Sequence, residues 1–236
     1  MNKLNIVLDK LEKFYSPVSI FIYGSRAGKD FLPTSDYEIG VLMRKKSYIR
    51  RSEIKKVVNI KGFSVYPFEY ERFVKYQIDT PFQKQIYLRD LIAGGKTLRG
   101  QKVIENMKLS PIKVIDILQD LRFTLGFAFA SMHSYRNGDK FTASYEFYKS
   151  CFYGSRCLEI LKLKKFAIGY DEIYQLSKRL KLGEYKDLVS TAYKIRHRKA
   201  KLQENDIFQN ISFLNKFIEP QIIDYFEKKG NKVLIK

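Results

Sequence analysis

The sequence predicts an α/β (α+β) domain with a small mixed sheet over residues 1–109, followed by an all-α helical bundle domain over residues 110–236. Three observations predict this. Up to residue 109, short apolar runs alternate with stretches of helical periodicity, the pattern of strands and helices in two layers. At Ser110-Pro111 a serine suited to an N-cap precedes a proline suited to the first helical position. Beyond that pair helical periodicity dominates, glycines are few and no strand is evident.

Taken in order, residues 2–15 predict a helix, because Leu4, Val7, Leu8, Leu11 and Phe14 recur at helical spacing, and Pro17 ends it. Val18 to Tyr23 is a buried strand that runs into Gly24-Ser25, and residues 25–31 predict a short helix. A second apolar run, Gly40 to Met43, follows Asp36-Tyr37-Glu38-Ile39. Residues 44–59 hold seven Lys or Arg and end in a helical pattern through Ile54, Val57 and Val58. Lys61 to Phe68 is a third strand. Thr80-Pro81 opens a helix that runs through Leu91 and stops at Gly94-Gly95, and Lys96 to Gly100 is a strand or a turn. In the second half, helices are expected near 111–135, 140–165, 171–181, 184–201 and 205–229.

The chemistry concentrates in residues 18–43. Strand side chains alternate, so Asp36 and Glu38 share one face while Tyr37 and Ile39 point to the other. Two carboxylates beside a Gly-Ser turn suit a divalent cation and a phosphate chain. Magnesium takes hard oxygen donors and shares them between one or two carboxylates and phosphate oxygens. Backbone N–H groups and a hydroxyl in the turn serve the phosphates.

Gly24-Ser25, ten intervening residues and then Asp36-x-Glu38 resemble the signature of the minimal nucleotidyltransferases of the DNA polymerase beta-like superfamily, with Ala27, Pro33 and Ser35 also in keeping. The resemblance is sharp over residues 18–43 and looser to about residue 105. It implies an NTP as substrate and Mg2+ (or Mn2+) as cofactor, held by Asp36 and Glu38, which are then also the catalytic pair. It implies phosphate binding by Gly24 and Ser25, and Arg26 and Lys29 lie near enough in sequence to neutralise phosphate charge. It further implies a helical domain that shapes the acceptor site. Two positions depart from the pattern. Lys29 replaces the usual loop glycine, with Gly28 displaced by one. The strand expected to carry a third carboxylate places Ser64 there, and Glu69 at the end of that stretch is the substitute candidate for the metal, or alternatively a surface charge.

Charge and composition bound the partners. Forty-four basic against 25 acidic residues give a net charge of +19, a field that attracts RNA or other polyanions. Abundant Lys, Ile, Tyr and Phe without Trp is equally what an A/T-rich coding sequence yields. No apolar run approaches a membrane span and no signal peptide is evident, so a cytoplasmic protein without a membrane partner is expected. Cys151 and Cys157 read as reduced structural thiols. Gly154-Ser155-Arg156 repeats the turn motif inside a helical stretch with no acid pair after it, and is taken as coincidence. A basic cluster, Lys194 to Lys201, is a second polyanion candidate. His133 and His197 lack zinc-ligand spacing.

The expected function is metal-dependent transfer of a nucleoside monophosphate from an NTP to an acceptor hydroxyl on an RNA 3′ end, a small molecule or a protein. The alternative is a catalytically degenerate nucleotidyltransferase fold that binds RNA, nucleotide or a protein partner.

Overall fold

The computed structural model describes residues 2–28, 30–44, 50–78, 80 and 82–236. The chain divides into two compact units, Met1–Ser110 and Pro111–Lys236.

The first unit is built on a four-stranded mixed sheet of order β3-β2-β1-β4. Helix α1 (Lys3–Tyr15) leads into β1 (Ser19–Tyr23), and β2 (Tyr37–Met43) returns antiparallel to it. After α2 (Arg51–Val58), β3 (Phe63–Glu69) joins the sheet parallel to β2 and forms one edge. A single turn, α3 (Tyr70–Phe73), and α4 (Lys84–Gly94) then lead to β4 (Lys96–Gly100), antiparallel to β1.

Alternation along the strands divides the apolar residues between the two faces. Ile20 and Ile22 of β1 and Ile39, Val41 and Met43 of β2 pack with Val7, Leu8 and Leu11 of α1 and with Ile54 and Val58 of α2. Phe21, Tyr23 and Leu42 form the opposite core with Phe73, Leu88 and Leu91. Gly40 stands opposite Phe21, and a side chain there would collide with the Phe21 ring. The positions that carry Glu38 and Asp36 are therefore on the aromatic side.

Two expectations about this unit change. Residues 25–28 form a single turn and not a helix, closed by the Ala27 and Gly28 N–H groups on the Gly24 carbonyl. Pro33 then bends the chain away in a second turn, in which Ser35 N–H donates to the Leu32 carbonyl. Helix α4 starts at Lys84, where the Gln83 side chain accepts from Ile86 N–H at 2.8 Å. Pro81 and Lys29 lie outside the described residues.

The second unit is helical: α5 (Val114–Arg136), α6 (Lys140–Leu158), α7 (Tyr170–Ser177), α8 (Lys186–Arg196), α9 (Glu204–Ser212) and α10 (Glu219–Lys229). A π-helical turn, Glu159–Leu163, extends α6, and another, Phe213–Ile218, joins α9 to α10. The first of these helices begins at Val114 and not at Pro111. The Asp116 carboxylate accepts from Lys113 N–H at 2.7 Å and so sets the start. Upstream, β5 (Ile112–Lys113) pairs antiparallel with β6 (Val233–Ile235), a ribbon too short to leave a period in the sequence. Gly154, Ser155 and Arg156 are buried within α6, Gly154 against Leu214 and Arg156 within 3.7 Å of Asp120, so this copy of the motif is structural. Cys151 and Cys157 are buried free thiols. Arg196, one of the expected basic cluster, is withdrawn from solvent, its side chain 2 % exposed and 3.5 Å from Asp171. No helix among the described residues is long and apolar enough to cross a membrane.

Candidate active site

Strand β1 ends in a turn that favours glycine. Gly24 has φ +69°, and a Cβ placed on it would collide with the Glu38 carboxylate. The β1–β2 register puts Tyr23 opposite Glu38, so the strand pairing itself folds that carboxylate over the turn. Ser25 and Arg26 continue the turn, with their N–H groups outside the two bonds that close it on Gly24.

Asp36 is exposed just before β2, and β3 supports it. Ser64 is the register partner of Glu38, and its Oγ donates to Asp36 Oδ2 at 3.4 Å. The turn, both carboxylates and the Ser64 hydroxyl thus converge on one side of the sheet at one end of β2.

Two of the expected residues are directed elsewhere. The Arg26 guanidinium lies 4.7 Å from the ring centroids of both Phe31 and Tyr37. Its Nε donates to the Ser35 carbonyl at 2.9 Å and its Nη2 to the Pro33 carbonyl at 3.1 Å. Tyr37 packs with the core opposite the carboxylates, so Arg26 ties down the 31–36 loop instead of facing the acid pair. Glu69 pairs with Met43 at the far end of β3, five residues beyond Ser64. That separation is about 16 Å along the strand and an odd number of residues, which turns the side chain to the other face.

Sequence spacing gave no sign of a tyrosine wall around Glu38. Tyr23 of β1, Tyr66 of β3 and Tyr87 of α4 come from three separate segments, with the Tyr23 and Tyr66 rings 6.0 Å apart. Burial pushes the Tyr23 hydroxyl well above its usual range, and neighbouring Tyr87 and the Glu38 charge add to it. Burial also raises Tyr66; Arg51, whose guanidinium lies 4.2 Å over its ring, opposes this, while Glu38 and Asp36 reinforce it. The one advance signal was the aromatic content of the third strand.

The donor set decides which cation fits. Among the described residues no group of three His, Cys, Asp or Glu side chains converges as a metal site. Asp36 and Glu38 supply two carboxylates, enough for a magnesium ion that brings phosphate oxygens with it. The residues fit a cation that arrives with a nucleotide.

No family model and no curated protein matches the chain in sequence. Among solved structures it is similar to spectinomycin adenyltransferase AAD(9) from Enterococcus faecialis, crystallised with ATP and spectinomycin. The likeness has a TM-score of 0.57 at 14% identity and covers 91% of this chain and 97% of that one. The chain accordingly shares the fold of that structure, with its mixed four-stranded sheet followed by a helical region.

Proposed function

We propose that this protein transfers a nucleoside monophosphate from an NTP to an acceptor hydroxyl. The observation that carries the reading is the fit of the Glu38 carboxylate over Gly24, with Asp36 on the same side: it joins a Gly-Ser turn to two hard oxygen donors. A structural neighbour crystallised with ATP supports the choice of nucleotide.

In this reading Asp36 and Glu38 hold a divalent cation, which when bound neutralises charge on the phosphate oxygens. Ser25 and the turn N–H groups bind the β- and γ-phosphates. The acceptor oxygen forms a bond to the α-phosphorus as the bond from that phosphorus to the β-phosphate oxygen breaks. Pyrophosphate leaves with the electron pair. With a hydroxyl at position 64, the acceptor proton passes to solvent water, and the rate enhancement rests on positioning and on charge stabilisation. Ser64 holds Asp36 in place.

A second reading is favoured by one specific observation, the neutral Ser64 at the register position opposite Glu38. Here the fold binds nucleotide or RNA without transfer. Label transfer from each α-labelled NTP, with Mg2+ or Mn2+, onto total RNA, a metabolite extract, spectinomycin and the protein itself separates the two. The expected result is label that appears with the wild type and falls at least about 100-fold in Asp36→Asn. Equal label in both proteins removes the metal assignment. Absence of label with every acceptor, alongside measurable nucleotide binding, leaves the binding reading.

A further inference from the structure

The residues that flank the acid pair on the β3 side carry the opposite charge. Tyr66 lies two residues beyond Ser64 on β3, on the same face and about 7 Å further along the strand. The Arg51 guanidinium lies 4.2 Å over the Tyr66 ring centroid, and the Arg44 guanidinium 5.9 Å over that of Tyr70. Both arginines are exposed, whereas Tyr66 and Tyr70 are half-buried against the aromatic core. Because β3 is an edge strand, Arg51 can leave α2, which packs on one face of the sheet, and cover a ring that belongs to the other. Moving outward from Asp36 one meets Ser64, then Arg51 on Tyr66, then Arg44 on Tyr70.

The Arg51–Tyr66 pair combines a fixed plane with a positive charge, and Arg44, 5.9 Å from the Tyr70 centroid, adds a second charge further along. A guanidinium anchored on a ring loses less freedom when it binds than a solvated lysine does, and its outer face stacks on a nucleobase while its N–H groups reach a phosphate. A positive edge that also offers a planar group for stacking is the pattern that binds single strands without reading their sequence. The segment supplying both arginines, residues 44–59, holds seven Lys or Arg in a chain of net charge +19. A cationic acceptor would be repelled here, and a neutral one would leave the charges unused.

We propose that this edge is the acceptor track and that its occupant is a single-stranded nucleic acid, whose terminal hydroxyl is the group presented to the nucleotide beside Asp36 and Ser64. The proposal rests on the transfer reading for its chemistry, which is the displacement given above, but its binding surface is tested without catalysis.

Fluorescence anisotropy with a labelled 12-nucleotide RNA, the matching DNA and the labelled mononucleotide is measured over a salt series. The proteins are the wild type, Arg51→Gln and, as a control for loss of one charge elsewhere, Lys229→Gln. Arg51→Gln is expected to weaken strand binding about 5- to 10-fold and to lower the salt slope by about 1, with Lys229→Gln close to wild type. Tighter RNA or tighter DNA binding each supports the track and names the strand. Wild-type affinity in Arg51→Gln, an equal loss in Lys229→Gln, or a mononucleotide weakened by Arg51→Gln as much as the 12-mer overturns it. If no acceptor is ever labelled but strand binding depends on Arg51, the transfer reading falls and the track stands.

Discussion

The Ser64 hydroxyl donates to the Asp36 carboxylate across 3.4 Å, at the register position opposite Glu38. This bond links the edge strand to the exposed end of the acid pair, and it sets the local charge at two carboxylates. A third acid at position 64 would face both of the others, and like charges that close raise one another's pKa unless a cation lies between them. Ser64 lets the pair stand without a resident metal.

Ser64→Asp is therefore expected to reveal the cation. Without metal, the added charge should destabilise the fold by roughly 1 kcal/mol after screening at an exposed site, a loss of about 2–4 °C in melting temperature. Millimolar Mg2+ should restore most of that loss and shift the variant more than the wild type. Thermal melts with and without Mg2+ decide it. Equal shifts in the two proteins would mean that position 64 does not face the cation.

Gly24→Ala tests the turn. The backbone there is left-handed, which costs an L-residue about 1 kcal/mol, and the new methyl group would displace the Glu38 carboxylate. We expect a small loss of thermal stability with at least about a 10-fold loss of Mg2+-dependent NTP affinity, read by calorimetry. Unchanged affinity would separate Gly24 from the phosphate site.

For Arg26 the expectation is structural. Its guanidinium bridges two loop carbonyls and lies between Phe31 and Tyr37, a geometry that a lysine ammonium cannot reproduce. Arg26→Lys should increase proteolytic cleavage within residues 30–36 several-fold. Saturating nucleotide should reduce that cleavage if the loop is coupled to the site. Wild-type cleavage together with a lost NTP affinity would return Arg26 to the phosphates.

What the sequence discloses follows the range of the forces involved. Strand alternation is local, so the shared face of Asp36 and Glu38 and the opposite face of Tyr37 and Ile39 were readable from four consecutive residues. Three strands and the helical region followed from periodicity in the same way, whereas Lys96 to Gly100, too short to leave a period, was open between strand and turn until its pairing with β1 made it β4. For Arg26, nearness in sequence to the Gly-Ser turn says nothing about a guanidinium that finds two loop carbonyls and the rings of Phe31 and Tyr37. Arg51 and Tyr66 were invisible as a pair, fifteen positions apart, since only the parallel placement of the edge strand brings them together. Ser110-Pro111 signalled a helix start that the Asp116 cap moved to Val114.

The helical unit carries a separate, pH-dependent expectation. Glu159 is fully buried at the first position of the π-helical turn, and neither carboxylate oxygen has a hydrogen-bond partner among the described residues. Burial pushes its pKa from the ordinary 4.5 up to about 8, with Arg156 opposing the shift and Glu172 reinforcing it. Between those values the folded protein holds a proton that the unfolded chain releases, so stability falls as pH rises from about 4.5 to about 8 and levels off above. Glu159→Gln keeps the shape and removes the titration. It should be more stable than wild type by on the order of 1–2 kcal/mol at pH 8, with the gain vanishing near pH 4.5. Urea titrations at the two pH values measure it. A gain independent of pH would mean that Glu159 is neutral or charged throughout, and a loss at pH 8 would mean that its negative charge is what holds Arg156 in place.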